Sequence, residues 1–179
     1  MLFAIAGAVV LLDQWTKSLV RTYLPEGTVY RPDLWITQYA RILHTQNTGA
    51  AFGLFKSFGG VFMILSIVVS FAILYYFPHV PRRDWPLRAA MCLQLGGALG
   101  NLIDRLTQNF VVTDFISIGT FPVFNVADAS ISVGVAVLVL GMWMHDIQEK
   151  RAGRIAQANA EPPAPEAAPS ALPEEPQGE

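Results

Sequence analysis

Ionisable side chains stand inside or beside otherwise apolar runs of this chain: Asp13, Asp104 with Arg105, Asp114 and Asp128. A charge at membrane depth costs roughly 2.5–3.5 kcal/mol on insertion scales, so each of these residues is a functional hypothesis by default. Two carboxylates sharing a poorly hydrated site cannot both ionise cheaply, because like charge raises one pKa while the other stays low. One then serves as base and the other as acid. Such a pair can activate a water for attack on a peptide carbonyl and protonate the departing amine, without a metal or a covalent intermediate. Asp114 and Asp128 fit that role: each follows apolar residues, and the stretch 116–124 between them is able to turn back as a hairpin. Other chemistries find no support. No Ser or Cys stands in a nucleophile elbow with a positioned His, the histidines His44, His79 and His145 are scattered, and no HExxH or similar ligand spacing occurs.

The elements that must position these residues are membrane helices. Of 179 residues, 53% are hydrophobic with a formal net charge of -2, an apolar excess that the core of a single soluble domain does not explain. The absence of clustered Lys and Arg removes nucleic acid as a partner. Four stretches approach the length of about 20 apolar residues that a span needs. The helices are expected at about 2–23, 58–77, 87–106 and 123–145, with extracytoplasmic loops at 24–57 and 107–122. The fold class expected is therefore an all-α membrane protein with four transmembrane helices and a small extracytoplasmic β-sheet. Strands are expected around Val29, Tyr30, Trp35, Ile36, Ile42 and Leu43, which lie among turn residues such as Pro32 and Asp33. Met1 to Leu12 lack the basic start and cleavage site of a secretory signal and read as the beginning of a retained helix. Gly96 and Gly100, four residues apart, predict a third helix packed tightly inside the bundle.

Arg82, Arg83 and Arg88 after the second span, and Lys150, Arg151 and Arg154 after the fourth, place those segments in the cytoplasm. Parity then puts both termini in the cytoplasm and gathers Asp13, Asp104, Asp114 and Asp128 at the extracytoplasmic face. The membrane domain is expected over 1–150. Residues 151–179, rich in Ala, Pro and Glu, are expected to form a disordered cytoplasmic tail. Cys92 reads as a packed thiol, and Trp15, Trp35, Trp85 and Trp143 as interfacial anchors.

Plainer readings stand beside the catalytic one. Asp13 with Lys17 one turn on is a common interfacial pair, and Asn47-Thr48-Gly49 alone is a common turn. Of the adjacent Asp104 and Arg105 only one should face a site, and Arg105 is the choice. The rival function class is a small proton-coupled transporter using the same aspartates as a relay. That class predicts ionisable groups spread through the bilayer and an internal repeat. On residue chemistry alone the hydrolase stands only slightly ahead of it.

Five stretches occur in order: Asp13-Gln14-Trp15-Thr16-Lys17, Gln46-Asn47-Thr48-Gly49-Ala50-Ala51-Phe52-Gly53, Gly96-Gly97-Ala98-Leu99-Gly100-Asn101-Leu102-Ile103-Asp104-Arg105, Val112-Thr113-Asp114-Phe115 and Phe124-Asn125-Val126-Ala127-Asp128. Together they resemble the ordered motif set of signal peptidase II, over residues 2–146. The resemblance implies a four-helix peptidase of the bacterial cytoplasmic membrane that removes the signal peptide from diacylglyceryl-modified prolipoproteins, cutting before the lipidated cysteine. It implies Asp114 and Asp128 as catalytic residues, with Asp13, Lys17, Asn47, Gly53, Asn101, Arg105 and Asn125 as supporting or substrate-binding residues. No metal and no cofactor are implied. The partners expected are the lipidated substrate and membrane lipid, with the enzyme acting as a monomer. Two departures from the family pattern, Thr113 and a short stretch between the two aspartates, bear on the shape of the extracytoplasmic loop.

Overall fold

The computed structural model describes residues 1–32, 35–48 and 58–160. Helix α1 (Leu2–Tyr23) is an apolar run that ends where Leu24 turns extended before Pro25. Strands β1 (Val29–Tyr30) and β2 (Ala40–Asn47) follow, then helices α2 (Gly59–Tyr76) and α3 (Trp85–Thr107), strand β3 (Val112–Ile118) and helix α4 (Val126–Ala160). The Asp84 carboxylate accepts the Leu87 N–H at 3.5 Å and Pro86 stands in the first turn of α3, the usual chemistry of a helix start.

The strands form one antiparallel sheet in the order β1-β2-β3. The register sets Val29 opposite Leu43, Thr45 opposite Asp114 and Asn47 opposite Val112, with an irregularity between Ile42 and Thr45. Beyond β3 the chain turns at Gly119, whose φ of 52° suits a residue without Cβ, and returns so that Phe124 pairs with Ile116. That return delivers Asn125 to the start of α4. His44, buried in β2, ties the sheet to the end of α1 through a 2.7 Å hydrogen bond between Nδ1 and the Leu24 carbonyl.

Helix α3 is the inner helix. It packs against both α1 and α2, and a core of Leu2, Ala6, Ile73, Phe77, Met91, Cys92 and Leu95 joins the three. Its glycines are close-approach points. A Cβ at Gly96 would stand 2.6 Å from Val9 Cβ, and one at Gly97 would stand 2.5 Å from the Ala127 carbonyl oxygen of α4. The outward faces carry Phe3, Leu11 and Trp15 on α1, Ile64, Val68 and Phe71 on α2, and Val133, Val139 and Leu140 on α4, all exposed. A soluble protein does not display such a surface, whereas lipid solvates it.

Three helical segments among the described residues, Leu2–Tyr23, Gly59–His79 and Val126–Ile155, are long and apolar enough to cross a membrane. The fourth expected span, α3, is long enough but too polar, because Gln94, Asn101, Asp104 and Arg105 interrupt it. Its protein-facing position lets it carry those groups. Other differences from expectation are local. Trp35 and Ile36 lie in a 3-10 turn (Trp35–Gln38) rather than a strand. Helix α4 begins at Val126, not 123, because Val123 and Phe124 belong to the hairpin return. It runs to Ala160, so residues 151–160 are helical rather than part of a disordered tail. The compact unit Met1–Met142 holds the sheet and the inner helix; in the second unit, Trp143–Glu179, the continuing helix is braced by Asp146 with Lys150 at 2.7 Å and His145 with Glu149 at 3.5 Å. The expected tail from 161 onward lies outside the described residues.

Candidate active site

A groove of about 770 Å³ opens beside α2, α3 and α4 at the level of β3, and Asp114 and Asp128 both border it. Its wall is apolar (Phe62, Leu65, Val69, Ile131, Val133), with Asn47, Asn101 and Arg105 close to the carboxylates in the lining. Asp114 projects from β3 and is 1% exposed. One of its oxygens accepts Asn125 Nδ2 at 2.7 Å and the other accepts Asn47 Nδ2 at 2.9 Å. Asn47 can reach it because β2 and β3 are paired neighbours.

Asp128 lies in the first turn of α4 and forms a reciprocal cap with Asn125. The Asp128 N–H donates to Asn125 Oδ1 at 2.9 Å, while Asp128 Oδ2 accepts the Asn125 N–H at 3.3 Å. Its Oδ1 accepts Asn101 Nδ2 at 2.8 Å. Asn125 therefore serves both carboxylates, one through its side-chain amide and the other through helix capping. Asn101 Oδ1 in turn accepts from Asn125 Nδ2 at 3.1 Å and Lys17 Nζ at 3.0 Å. Burial above all, and then the nearby Asp128 carboxylate, push the Asp114 carboxyl up to about 7, against the Asn47 and Asn125 amides and the Lys17 charge. Near neutrality Asp114 is thus poised to hold or release a proton. A carboxyl pair of this kind can deprotonate a water and reprotonate a leaving group.

Arg105 reaches the groove with its guanidinium 5.7 Å from the Phe62 ring centroid and one 3.4 Å bond to the Asn101 carbonyl. Asp104 faces the other way. It is fully buried against α1, where it meets Lys17 at 3.2 Å, Gln14 at 3.0 Å and Arg21 at 3.4 Å. Asp13 and Lys17 form the expected pair at 2.8 Å, but both are fully buried in the bundle rather than at an interface, and neither lines the groove. Gly53 lies outside the described residues. Arg105 rather than Asp104 thus faces the groove, as expected, while Gln14, Arg21 and Thr113 escaped the sequence reading as participants. The spacing of Asp13, Lys17 and Arg21, four residues apart on one helix face, was the signal available for Arg21.

Comparison with known proteins agrees with this arrangement. Residues 5–144 match the family model described as signal peptidase (SPase) II. A lipoprotein signal peptidase of Mesorhizobium japonicum is 42% identical over 138 residues, covering 74% of this chain and 79% of its own. That of Geobacillus kaustophilus is 39% identical over 153 residues, covering 82% and 95%. A bacterial membrane enzyme solved by the in meso method at 2.3 Å superposes with a TM-score of 0.73 at 32% identity, covering 79% of this chain and 87% of that one. With a family match running from the first helix into the fourth, this chain belongs to the signal peptidase II family.

Proposed function

We propose that the protein is an aspartic endopeptidase of the bacterial cytoplasmic membrane that removes the signal peptide from diacylglyceryl-modified prolipoproteins, cutting before the lipidated cysteine. Relatives that carry the name lipoprotein signal peptidase supply the substrate class. The observation that carries the chemistry is the pair of carboxylates, buried Asp114 and half-buried Asp128, on one apolar groove and linked through Asn125.

In this reading the acyl chains of the substrate lie along the groove wall and bring the scissile peptide to the carboxylates. The chains are in lipid before and after binding, so the anchor contributes confinement and depth, a gain in effective concentration, rather than a transfer from water. A water held between the aspartates attacks the carbonyl carbon as the ionised carboxylate takes its proton. The C–N bond then breaks as the protonated partner delivers its proton to the cysteine nitrogen. The pair titrates as a unit, so the starting base belongs to the pair. The Arg105 guanidinium stands ready to hold a substrate carbonyl or the developing oxyanion.

The test is a gel-shift assay in lipid with a diacylglyceryl-modified precursor, the same precursor without lipid, and the Asp114→Asn and Asp128→Asn variants. Lipid-dependent release of the signal peptide, reduced by about 10²–10⁴-fold or more in both variants, is the expected result. Asn at 128 keeps an oxygen for the cap, so that variant should stay folded. Full activity in either variant would sink the assignment. Well-folded wild-type protein that cleaves nothing would turn the reading toward proton transport.

A further inference from the structure

Behind the carboxylate pair, on the side away from the groove, three fully buried charges are gathered: Asp13, Lys17 and Asp104. Lys17 Nζ makes three contacts, to Asp13 Oδ2 at 2.8 Å, Asp104 Oδ2 at 3.2 Å and Asn101 Oδ1 at 3.0 Å. An ammonium has three donors, so none remains for a substrate. Each carboxylate also accepts a backbone N–H. Asp13 Oδ1 takes that of Ala127 at 2.9 Å, and Asp104 Oδ2 takes that of Thr113 at 3.0 Å. Ala127 immediately precedes Asp128, and Thr113 immediately precedes Asp114.

Resting on the function proposed above, we infer that Lys17, Asp13 and Asp104 act as a bracket that fixes the separation of the two aspartates. One carboxylate holds the backbone just before Asp128, the other holds the backbone just before Asp114, and a single ammonium joins them. Its third bond points the Asn101 carbonyl inward, which turns the Asn101 amide toward Asp128 at 2.8 Å. Arg21 adds a second grip on the Asp114 arm. It donates to Thr113 Oγ1 at 3.1 Å and pairs with Asp104 at 3.4 Å. Thr113 is thus held by both main chain and side chain.

Stability alone is a weak reason for such a cluster. Buried ion pairs lose in desolvation much of what they gain, and well-packed apolar replacements are often neutral or stabilising. Position is the better reason. The aspartates come from a strand and a helix distant in sequence from α1, and a misplacement of about 1 Å in a catalytic group can cost about 10²-fold in rate. Asp13, Lys17 and Asp104 are therefore positioning residues that work through Ala127, Thr113 and Asn101 without touching substrate.

The test measures kcat and KM for a lipidated precursor using the full-length protein in lipid, with thermal unfolding alongside. Asp13→Ala and Asp104→Ala should lower kcat by about 10–100-fold, the usual effect of removing an orienting residue, while KM stays within about twofold. Asp13→Asn and Asp104→Asn should recover only part of the loss, because the amide oxygen still accepts the Ala127 or Thr113 N–H while the amide NH2 is turned on the donors Lys17, Gln14 or Arg21. A raised KM with intact kcat, full kcat in the Ala variants, or Asn variants as poor as Ala would each overturn the bracket. If the Ala variants fail to fold, Arg21→Gln decides. This residue is 26% exposed and outside the Lys17 triad; a kcat lowered several-fold at wild-type KM supports the bracket, and an unchanged kcat overturns it. Asp128→Asn run in parallel separates the two proposals. If it cleaves normally the peptidase dyad itself is wrong, whereas its loss beside fully active bracket variants removes only the bracket.

Discussion

At the scale of single residues, Asp114 stakes protein stability on its proton. Its carboxyl, pushed up to about 7 by burial and by Asp128, would titrate near the ordinary 3.8 in an unfolded chain. Between those values the folded protein binds a proton that the unfolded chain releases. The stabilisation is therefore complete below the unfolded value and is lost as pH rises through the folded one. Unfolding followed from pH 4 to pH 8 should show the wild type losing on the order of a few kcal/mol over that window. In Asp114→Asn this part of the slope should vanish, whatever constant offset the amide introduces against its Asn47 and Asn125 donors. Parallel slopes in the two proteins would refute the assignment. Cleavage should likewise decline on the alkaline side of about 7 as the shared proton is lost.

At the scale of elements, the precision of the site depends on how closely α1 and α4 approach α3. A methyl at Gly100 would stand 2.7 Å from Asp13 Oδ2 and 3.2 Å from Ala127 Cβ, so Gly100→Ala should wedge the bundle at the bracket. The expected cost is about 1–3 kcal/mol, as for other overpacked cores, together with lost activity. Gly7→Ala, on α1 with open space around the added methyl, should be neutral or stabilise by about 0.5–1 kcal/mol. Equal effects on melting temperature at the two positions would contradict the packing described. Much of this was legible in the sequence. Apolar length announced α1, α2 and α4, the glycine spacing announced tight packing of α3, and the apolar residues before Asp114 and Asp128 singled out two carboxylates that border one groove, since each follows from local composition. The buried setting of Asp13 and Lys17 was not legible. Their i, i+4 spacing is the same at an interface or in a bundle core, and only the partners Asp104 and Asn101, distant in sequence, distinguish the two. The end of α4 was missed for a similar reason, because the Ala-rich stretch after Lys150 suits a helix as well as a tail.

At the scale of the whole molecule, the orientation proposed from the basic segments puts the sheet and the carboxylates outside and the turn at Arg82 and Arg83 inside. The native thiol, Cys92, is 0% exposed and gives a quiet background for labelling. In intact spheroplasts Glu26→Cys, at an exposed turn between α1 and β1, should react with a membrane-impermeant maleimide. Arg82→Cys, also exposed, should react only after permeabilisation. The reverse pattern would invert the topology. Helix α3 illustrates what hydropathy misses at this scale. A helix shielded by its neighbours can carry Asn101, Asp104 and Arg105 through the bundle, and its polarity then marks an inner position rather than a loop.

The amide frame around the aspartates also sets terms for any inhibitor. All four carboxylate oxygens already receive a donor: from Asn125 and Asn47 at Asp114, and from Asn101 and the Asn125 main chain at Asp128. With one proton shared between them, the pair offers one donor beside carboxylate oxygen that accepts, so it suits a ligand group that does both. A secondary alcohol in place of the scissile carbonyl could give its proton to the pair and occupy the place of the attacking water. Its methyl ether, of nearly the same shape, can accept the shared proton but has none to give the ionised carboxylate. On the function proposed above, the groove should then favour a hydroxyl carried on a lipid-like body, with potency that falls when that one hydrogen is capped.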